Sequence, residues 1–314
     1  MKELEFLKVI QKTLSENPYL GDDCAYLKDL GIVVTQDSLV EDIHFLTDFS
    51  SPYQIGYKTI IVNLSDILAA GAEPKYCTIS LSLPKTIKSD FILEFYNAVK
   101  DLSEKFGFEV VGGDITGSEK IFVSACAIGI TKNHKISSRK NAKEGDYVIT
   151  TGNHGSSAAG LWLLQNNFNN YENIKKQHLM PTISSKFSRE ISEKIKRDYA
   201  MMDTSDGLAD ALFKIAQASD VLISVDFDKI PYDKKIEEIA KFAQIDFKDW
   251  VLFGGEDFQL VACLDEKNLK TLNTDYTIIG KVKRKTDKTC LEVDINGEIE
   301  KISDLEKTFN HFKR

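Results

Sequence analysis

Carboxylates stand beside glycines or directly after apolar runs at six places in the sequence. The six segments are Gly21-Asp22-Asp23, Thr35-Gln36-Asp37, Asn63-Leu64-Ser65-Asp66, Gly112-Gly113-Asp114, Asp203-Thr204-Ser205-Asp206-Gly207 and Gly254-Gly255-Glu256-Asp257. A carboxylate at a strand end can reach a ligand, and a neighbouring glycine lets the backbone approach that ligand closely. Carboxylate oxygens suit Mg²⁺, which also binds substrate phosphates. If the six segments lie close together in the folded chain, we expect a site there for several magnesium ions and a nucleotide.

Each segment also has a plainer interpretation. An Asp beside a Gly is common in surface turns, and any one pair alone favours a turn over a metal ligand. Asp66 differs, because a carboxylate within the apolar stretch 60–70 is costly to bury unless it is paired or metal-bound. Asp203 and Asp206 lie three residues apart at a predicted helix start. Ser205 between them is either an ordinary N-cap or a phosphate contact, and the two roles are compatible.

Two further polar side chains are open to both kinds of interpretation. His44, seven residues after Asp37, is either a ligand contact or a packed imidazole at a strand end, and the pattern favours packing. Arg139 lies in a basic linker where a solvated side chain is usual, although an Arg at a domain junction can also hold a phosphate. The motifs of P-loop proteins and protein kinases are absent. A nucleotide site in this chain must therefore be built in another way.

Helix and strand patterns alternate along the 314 residues and fall into two parts. The N-terminal part predicts helices over 3–15, 57–70 and 89–106, and strands over 32–35, 77–83, 109–111 and 121–130. The C-terminal part predicts a helix starting near 205, and strands over 147–150, 221–225, 251–253, 258–263 and 276–279. A basic, polar stretch at 132–145 separates them, so we expect domains at 1–138 and 139–314. The pattern favours the α/β (α+β) class, with a cleft between two lobes.

Composition and charge exclude several classes of protein. The chain has 40 Lys and Arg against 48 Asp and Glu and no dense basic stripe, which argues against a nucleic-acid partner. Its five cysteines form no C-x-x-C pair, so they indicate neither a disulfide framework nor a thiolate zinc site. The acidic N-terminus lacks a signal-peptide pattern, and no apolar stretch approaches the roughly 20 residues that span a bilayer. We expect a soluble, cytoplasmic protein with no membrane partner.

Taken in order, the motifs resemble the thiamine-monophosphate kinase family. Its superfamily also contains aminoimidazole ribonucleotide synthetase, selenophosphate synthetase and the hydrogenase-maturation protein HypE. The resemblance runs from Gly21-Asp22-Asp23-Cys24-Ala25 to Phe309-Asn310-His311-Phe312, nearly the whole chain. It implies a two-lobed aminoimidazole ribonucleotide synthetase-like fold, with a C-terminal α/β lobe. The N-terminal lobe would bind metal and ATP and would form a homodimer through sheet strands.

The resemblance also implies a role for particular residues. Those that would hold Mg²⁺ are Asp23, Thr35, Gln36, Asp37, Asp66, Asp114, Asp203 and Asp206, of which Asp37, Asp66 and Asp114 would be catalytic. The nucleotide contacts would be Gly113, Asp114, Arg139 and Ser205. The residues bordering the thiamine moiety would be His44, Glu256 and Phe309. Several positions depart from the family pattern. Gln36 replaces a Thr, Asp42 replaces a Gly, Phe258-Gln259 replaces Tyr-Glu, and Thr308-Phe309 replaces a Gly followed by Trp or Tyr.

The implied activity is phosphorylation of thiamine monophosphate by ATP, by direct in-line transfer with several Mg²⁺ ions, giving thiamine diphosphate. Another ATP-dependent enzyme of the superfamily is one alternative. Where aminoimidazole ribonucleotide synthetase would have an Asp-Gly-Val-Gly-Thr-Lys-like segment, residues 37–42 read Asp-Ser-Leu-Val-Glu-Asp. A non-catalytic nucleotide-binding regulator on the same scaffold is the other alternative. Consumption of ATP that depends on thiamine monophosphate separates the regulator from the kinase.

Overall fold

Helix α2 (Pro52–Ala69) is buried along nearly its whole length, and the rest of the fold is arranged around it. A capping box between Ser51 and Gln54 starts the helix, with Pro52 in its first turn. One side of α2 packs on the sheet of the N-terminal half. On another side, the carbonyl of Leu68 accepts a hydrogen bond from Ser188 of the C-terminal half. Polar side chains on α2 are therefore buried between the two halves and need partners there.

The computed structural model describes residues 2–14, 17–303, 305 and 307, and its N-terminal half contains a five-stranded mixed sheet. In spatial order the strands are β1 (Ala25–Leu27), β2 (Ile32–Val40), β5 (Phe122–Ile130), β3 (Glu73–Leu83) and β4 (Glu109–Gly117). Leu39, Ile79 and Val123 project from one face into a core with α2 and α3 (Ser89–Phe106). Alternate residues such as Ser38 and Ser124 lie on the opposite face, where they share a hydrogen bond.

Strand β4 is an exposed edge of this sheet, and all nine of its residues are exposed. It pairs in parallel with β3, and its Ile115 side chain is 67% exposed. The prediction that this strand ends at Val111 is wrong, because the pairing continues through the glycines to Gly117. Gly113 lies so close to β3 that an added Cβ would come within 2.0 Å of the carbonyl oxygen of Ile79. Glycine here permits the pairing, and the open apolar edge remains available to another strand.

A seven-stranded sheet forms the centre of the C-terminal half. Its strands in spatial order are β12 (Glu298–Ile302), β11 (Leu291–Ile295), β8 (Leu222–Asp226), β10 (Thr277–Lys283), β6 (Tyr147–Thr150), β9 (Leu260–Leu264) and β7 (Ala200–Asp203). The remaining helices are α1 (Lys2–Thr13), α4 (Ser156–Gln165), α5 (Glu172–Leu179), α6 (Ser185–Lys194), α7 (Leu208–Ser219), α8 (Lys235–Ala243), α9 (Phe247–Phe253) and α10 (Glu266–Leu269). Helices α7 and α9 contribute to one core on this sheet, and α6 contributes to another. The two sheets with their helices confirm the predicted α/β (α+β) class.

Two local predictions in the C-terminal half are wrong. The apolar residues 251–253 form the last turn of α9 and not a strand, because Asp246 caps the helix by accepting from the Lys248 N–H. Three apolar residues fit a short buried helix as well as a strand. Helix α7 begins at Leu208, so Ser205 is not its N-cap. That position belongs to Gly207, whose φ of 109° favours glycine. No helix in the described ranges has an apolar stretch long enough to cross a membrane.

Candidate active site

Three carboxylates from distant parts of the chain meet where the two halves face each other. Asp23 precedes β1, Asp66 lies on α2, and Asp203 ends β7. One oxygen from each lies within 4.8 Å of the other two. Asp203 is buried, and the other two are partly buried. We call these three residues the acidic cluster. The fold brings together residues that lie up to 180 positions apart in the sequence.

Hydroxyl groups fix the orientation of the acidic cluster. Thr35 on β2 donates to Asp66 Oδ2 at 2.5 Å, and Ser65 donates to Asp203 Oδ2 at 2.5 Å. The hydroxyl of Ser205 donates to the other Asp203 oxygen at 2.9 Å. Ser65 and Asp203 belong to different halves, so this hydrogen bond also joins the lobes. The carboxylates are held in defined positions, as a preformed ion site requires.

The acidic cluster carries more negative charge than its surroundings neutralise. Burial raises the pKa of Asp66 well above its ordinary value, and the charges of Asp203 and Asp37 raise it further. Burial and the charge of Asp23 likewise raise the pKa of Asp203 to about 7. Among the described residues, neither Asp66 nor Asp203 forms an ion pair. An all-oxygen donor set with uncompensated charge fits a hard divalent cation such as Mg²⁺.

Arg139 supplies the positive charge beside the cluster. Its Nη2 atom lies 2.6 Å from Asp23 Oδ1, and its backbone N–H donates to Asp22 at 2.7 Å. The hydroxyl of Ser138 donates to the other Asp22 oxygen. The Nε atom of Arg139 is buried without a hydrogen-bond partner in the described part of the chain. A fixed guanidinium with an unused donor suits a phosphate oxygen, so Arg139 is more than a solvated linker residue.

Strand β2 brings Asp37 toward the cluster but turns Gln36 away from it. The N–H of Asp37 donates to Asn63 on α2 at 3.1 Å, on the face that also carries Thr35. The Gln36 amide donates to Ser124 on the opposite face at 3.1 Å. Adjacent residues of a strand face opposite sides, so only one of this pair can point at the cluster.

Asp114 does not join the acidic cluster in the single chain. Strand β4 is three strand spacings from β2, about 14 Å across the sheet. The register places Asp114 beside Ser80 and in the same row as Ser38, on the face opposite Asp37. Gly113 has a structural reason of its own to be glycine, given its close approach to β3. The single chain therefore does not bring these two predicted nucleotide contacts to the acidic cluster.

Asp206 also lies outside the cluster, in the turn before α7. Lys214 on α7 lies 3.0 Å from Asp206 and 2.7 Å from Asp210. Burial raises the pKa of Asp210 to about 6, although Lys214 opposes the shift. Asp206 is half exposed and already has a cationic partner. Ser205 is placed differently, since its hydroxyl contacts Asp203 of the cluster.

Two of the three predicted thiamine-bordering residues are linked through a buried lysine. Lys58 on α2 donates to Glu256 at 2.8 Å and to the backbone carbonyl of His44 at 3.0 Å. The ring of His44 accepts from the Val40 N–H at 3.0 Å, as expected for a packed strand-end imidazole. Phe309 lies outside the described residues. Lys307, just before it, pairs with Asp249 of α9 at 2.9 Å.

Two residues that contact Glu256, Lys58 and His178, are not among those that the sequence motifs indicate. Lys58 lies in the same apolar helix as Asp66, so the signal that singled out Asp66 applies to it as well. His178 lies on α5, whose sequence is polar enough to read as a surface helix. Burial opposes ionisation of Glu256, but the charge of Lys58 and contact with His178 hold its pKa below the ordinary value.

Comparisons with known proteins identify the family of the chain. Residues 21–131 match the family "AIR synthase related protein, N-terminal domain", and residues 143–290 match its C-terminal domain. The chain is 34% identical to the Bacillus subtilis thiamine-monophosphate kinase, with 94% of this chain and 93% of that protein covered. The Aquifex aeolicus thiamine-monophosphate kinase is 35% identical, with 89% and 91% covered. The chain belongs to the thiamine-monophosphate kinase family.

Solved structures give the same result for the fold of this family member. A structure described as AaThiL complexed with AMPPCP and TMP superposes with a TM-score of 0.87 at 33% identity, covering 99% of this chain and 98% of that one. A chain of a structure described as a HypE–HypF complex superposes with a TM-score of 0.77 at 21% identity, covering 95% of this chain and 98% of that one, and shows the shared fold alone. The predicted aminoimidazole ribonucleotide synthetase-like fold is therefore confirmed.

Proposed function

We propose that the protein transfers the γ-phosphoryl group of ATP to the phosphate of thiamine monophosphate, giving thiamine diphosphate and ADP. The observation that carries the proposal is the acidic cluster, in which carboxylates from both lobes meet beside Arg139. Family membership and the AMPPCP- and TMP-bound relative support the choice of substrates. The two substrates are polyanions that repel each other in this reaction. The carboxylates of the acidic cluster can hold metal cations that reduce this repulsion, and Arg139 adds a further positive charge.

The chain needs no general base for this transfer. A phosphate monoester with a second pKa near 6 is mostly dianionic at neutral pH and is already a nucleophile. The protein must instead position the two substrates and control their charge. Arg139 is placed to orient a nucleotide phosphate through its unused Nε–H. Thr35, Ser65 and Ser205 hold the cluster carboxylates still during the transfer.

Magnesium is the metal we propose for the acidic cluster. Asp23, Asp66 and Asp203 would hold it, with Thr35 and Asp37 adjacent. When bound, Mg²⁺ supplies the positive charge that neutralises the phosphates and stabilises the transferred group. The outer members proposed for further ions are Gln36, Asp114 and Asp206. The proposed nucleotide contacts are Gly113, Asp114, Arg139 and Ser205, and the proposed thiamine contacts are His44, Glu256 and Phe309.

The proposal includes a homodimer formed through the sheet of the N-terminal lobe, residues 1–138, with 139–314 as the other lobe. Strand β4 supports it, because an exposed apolar edge is a template for pairing with a second copy. A dimer would also give Asp114 a role, since this residue lies apart from the cluster of its own chain. A cytoplasmic location is proposed too, and the five unpaired cysteines are compatible with it.

Omission of one component at a time tests the function. The purified protein is incubated with Mg²⁺, ATP and thiamine monophosphate, and thiamine diphosphate and ADP are both measured. We expect both products in equal amounts, and neither when any component is left out. ATP binding without turnover that depends on thiamine monophosphate would contradict the proposal and favour a regulator.

Mixing two inactive variants tests the role of the dimer. If Asp114 of one copy completes the cluster of the other, a mixed dimer of Asp66→Asn and Asp114→Asn contains one intact site. Random mixing after reversible dissociation would then restore up to about a quarter of wild-type activity. If both residues act within one chain, every site keeps a defect and mixing restores nothing. Mixtures of each variant with itself are the matched controls.

A further inference from the structure

A lysine lies almost completely buried inside α2, where a charged amine is costly. The side chain of Lys58 is 3% exposed, and its ammonium group lies 2.8 Å from both oxygens of Glu256. The same group donates to the backbone carbonyl of His44 at 3.0 Å. One amine from the N-terminal lobe therefore contacts two residues of the proposed thiamine site. A buried lysine persists only when its charge is paired and hydrogen-bonded.

His178, which lies in the C-terminal lobe together with Glu256, is the second residue that contacts this carboxylate. Its ring is 4% exposed, and Nδ1 lies 3.4 Å from Glu256 Oε2 and 3.1 Å from the Ser157 hydroxyl. Burial and the charge of Lys58 together lower the pKa of His178 to about 3, so the ring is neutral. The Lys58–Glu256–His178 group thus contains one positive and one negative charge.

The backbone of Glu256 is held as firmly as its side chain. Its φ of 66° lies in the left-handed region that residues with a side chain seldom occupy. Its N–H donates to the Ser205 carbonyl at 2.7 Å, which ties it to the loop beside the acidic cluster. The Glu256 side chain is 27% exposed, so Lys58 reaches the carboxylate from the buried side while another side stays open. Such strain is usually found where function fixes a side chain.

We propose that Lys58, with His178, is a positioning residue that fixes Glu256 so that the open side of its carboxylate recognises the cationic thiazolium ring of thiamine monophosphate. This inference rests on the proposed function. Lys58 is too buried to touch the substrate, and it acts through Glu256 and the His44 loop. The cation on the substrate would share a carboxylate that is already oriented, so little ordering is needed at binding. An unheld Glu256 would rotate toward solvent and lose this orientation.

The number of carboxylates distinguishes the two sites. The Lys58–Glu256–His178 group contains one carboxylate, whereas the acidic cluster contains three. A single carboxylate suits an organic cation, whereas a metal ion needs several oxygens. The acidic cluster supplies the oxygens, and the Lys58–Glu256–His178 group supplies the single carboxylate. The two ends of the substrate would therefore be recognised by two differently built sites.

Replacement of Lys58 by Met removes the charge and keeps an unbranched side chain. We expect the KM for thiamine monophosphate to rise about tenfold, the value of one charge-assisted contact. The KM for ATP should change by less than about twofold, because the nucleotide contacts do not include Lys58. Lys58→Arg keeps the charge and should recover part of the loss. Lys175→Met is the control, since Lys175 is also buried but pairs with the exposed Glu172.

A purely structural role for Lys58 predicts a different result. If the lysine only joins the lobes, both KM values and kcat change together, and this outcome would overturn the inference. Unchanged kinetics in Lys58→Met would overturn it as well. If Lys58→Met does not fold, as judged by its thermal melt, His178→Leu is measured instead. It should raise the KM for thiamine monophosphate by about threefold, the loss of one weaker contact, and leave the KM for ATP unchanged. If the KM for thiamine monophosphate does not change selectively, the inference is wrong.

The measurements distinguish a failure of this inference from a failure of the proposed function. A wild-type protein without ATP turnover that depends on thiamine monophosphate would refute the function itself. A wild-type protein that is active, with no KM split in the variants, would refute only the role of Lys58 and His178. A thiazole phosphate without the quaternary nitrogen gives a second readout. As a competitive inhibitor, it should distinguish wild type from Lys58→Met far less than thiamine monophosphate does.

Discussion

The acidic cluster and the Lys58–Glu256–His178 group are both buried between the lobes, but their charges are balanced differently. In the cluster, burial and mutual repulsion raise the pKa values of Asp66 and Asp203. In the group, Lys58 holds the pKa of Glu256 below its ordinary value despite burial. A site that is built to accept metal ions leaves its anions uncompensated, whereas Glu256, which is proposed to face one organic cation, has an internal partner that fixes its orientation. Burial alone does not separate these roles, but charge balance does.

The largest expected difference between the two regions is kinetic. Replacing Asp66 by Asn removes a charge that the transferred phosphoryl group needs nearby, so kcat should fall about 100- to 1,000-fold. The fold should persist, because Asn keeps the shape and can still accept from Thr35. Release of ADP measures the rate, and circular dichroism checks the fold. A near-normal rate in Asp66→Asn would remove the acidic cluster from the mechanism.

The effects on stability should have opposite signs in the two regions. Without metal, Asp66→Asn relieves repulsion and should raise the unfolding free energy by about 1 kcal/mol. Glu256→Gln leaves Lys58 buried without a counter-ion and should lower the unfolding free energy by about 3 kcal/mol. Urea titration measures both changes. The double variant Lys58→Met with Glu256→Gln should recover part of the loss, since neither charge is then left alone.

Much of the fold follows from patterns within short segments. The amphipathic spacing predicts α3 with the bounds that the structure has, Ser89–Phe106. A three-residue apolar run such as 251–253 carries no periodicity, so the sequence pattern does not distinguish the helix found there from a strand. The Gly-Gly pair of β4 is typical of a turn, whereas in the structure it allows close pairing with β3. Local signals therefore identify long elements well and fail where a tertiary contact decides the backbone.

The acidic cluster could be predicted only in part. A carboxylate inside an apolar helix marks Asp66 from sequence alone, and Lys58 in the same helix carries an equivalent signal. The pairing of Asp23 with Arg139 spans 116 residues and depends on how the lobes pack, which no local pattern encodes. The family resemblance supplied the order of the motifs. It did not indicate that Gln36 and Asp114 face away from the cluster of their own chain.

The stability of the protein should respond to pH and to magnesium through the acidic cluster and not through the Lys58–Glu256–His178 group. Burial and repulsion raise the pKa of Asp203 from 3.8 to about 7, so between these values the folded state binds more protons than the unfolded state. The unfolding free energy of the metal-free protein should therefore fall as pH rises through this range. Magnesium replaces the lost protons, so the gain in Tm on adding Mg²⁺ should be larger near about pH 8 than near about pH 5.

Chelation provides the control for this expectation. Excess EDTA should reverse the gain in Tm at high pH. The variant Asp203→Asn should lose the part of the pH dependence that Asp203 contributes, because its side chain cannot titrate. Glu256→Gln should keep the magnesium response, since the Lys58–Glu256–His178 group lies outside the cluster. A magnesium effect of equal size at both pH values would indicate that the cation binds elsewhere.

The smallest effect is expected at Gln36, one of the positions that depart from the family pattern. Its amide is engaged with Ser124 on the face opposite Asp37, and a neutral oxygen binds Mg²⁺ more weakly than a carboxylate does. Gln36→Ala should therefore lower kcat/KM by less than about threefold. Gln36→Thr, which restores the common family residue, should be similarly mild. A loss approaching that of Asp66→Asn would place Gln36 among the essential ligands, and the division of β2 into a cluster face and an outer face would be wrong.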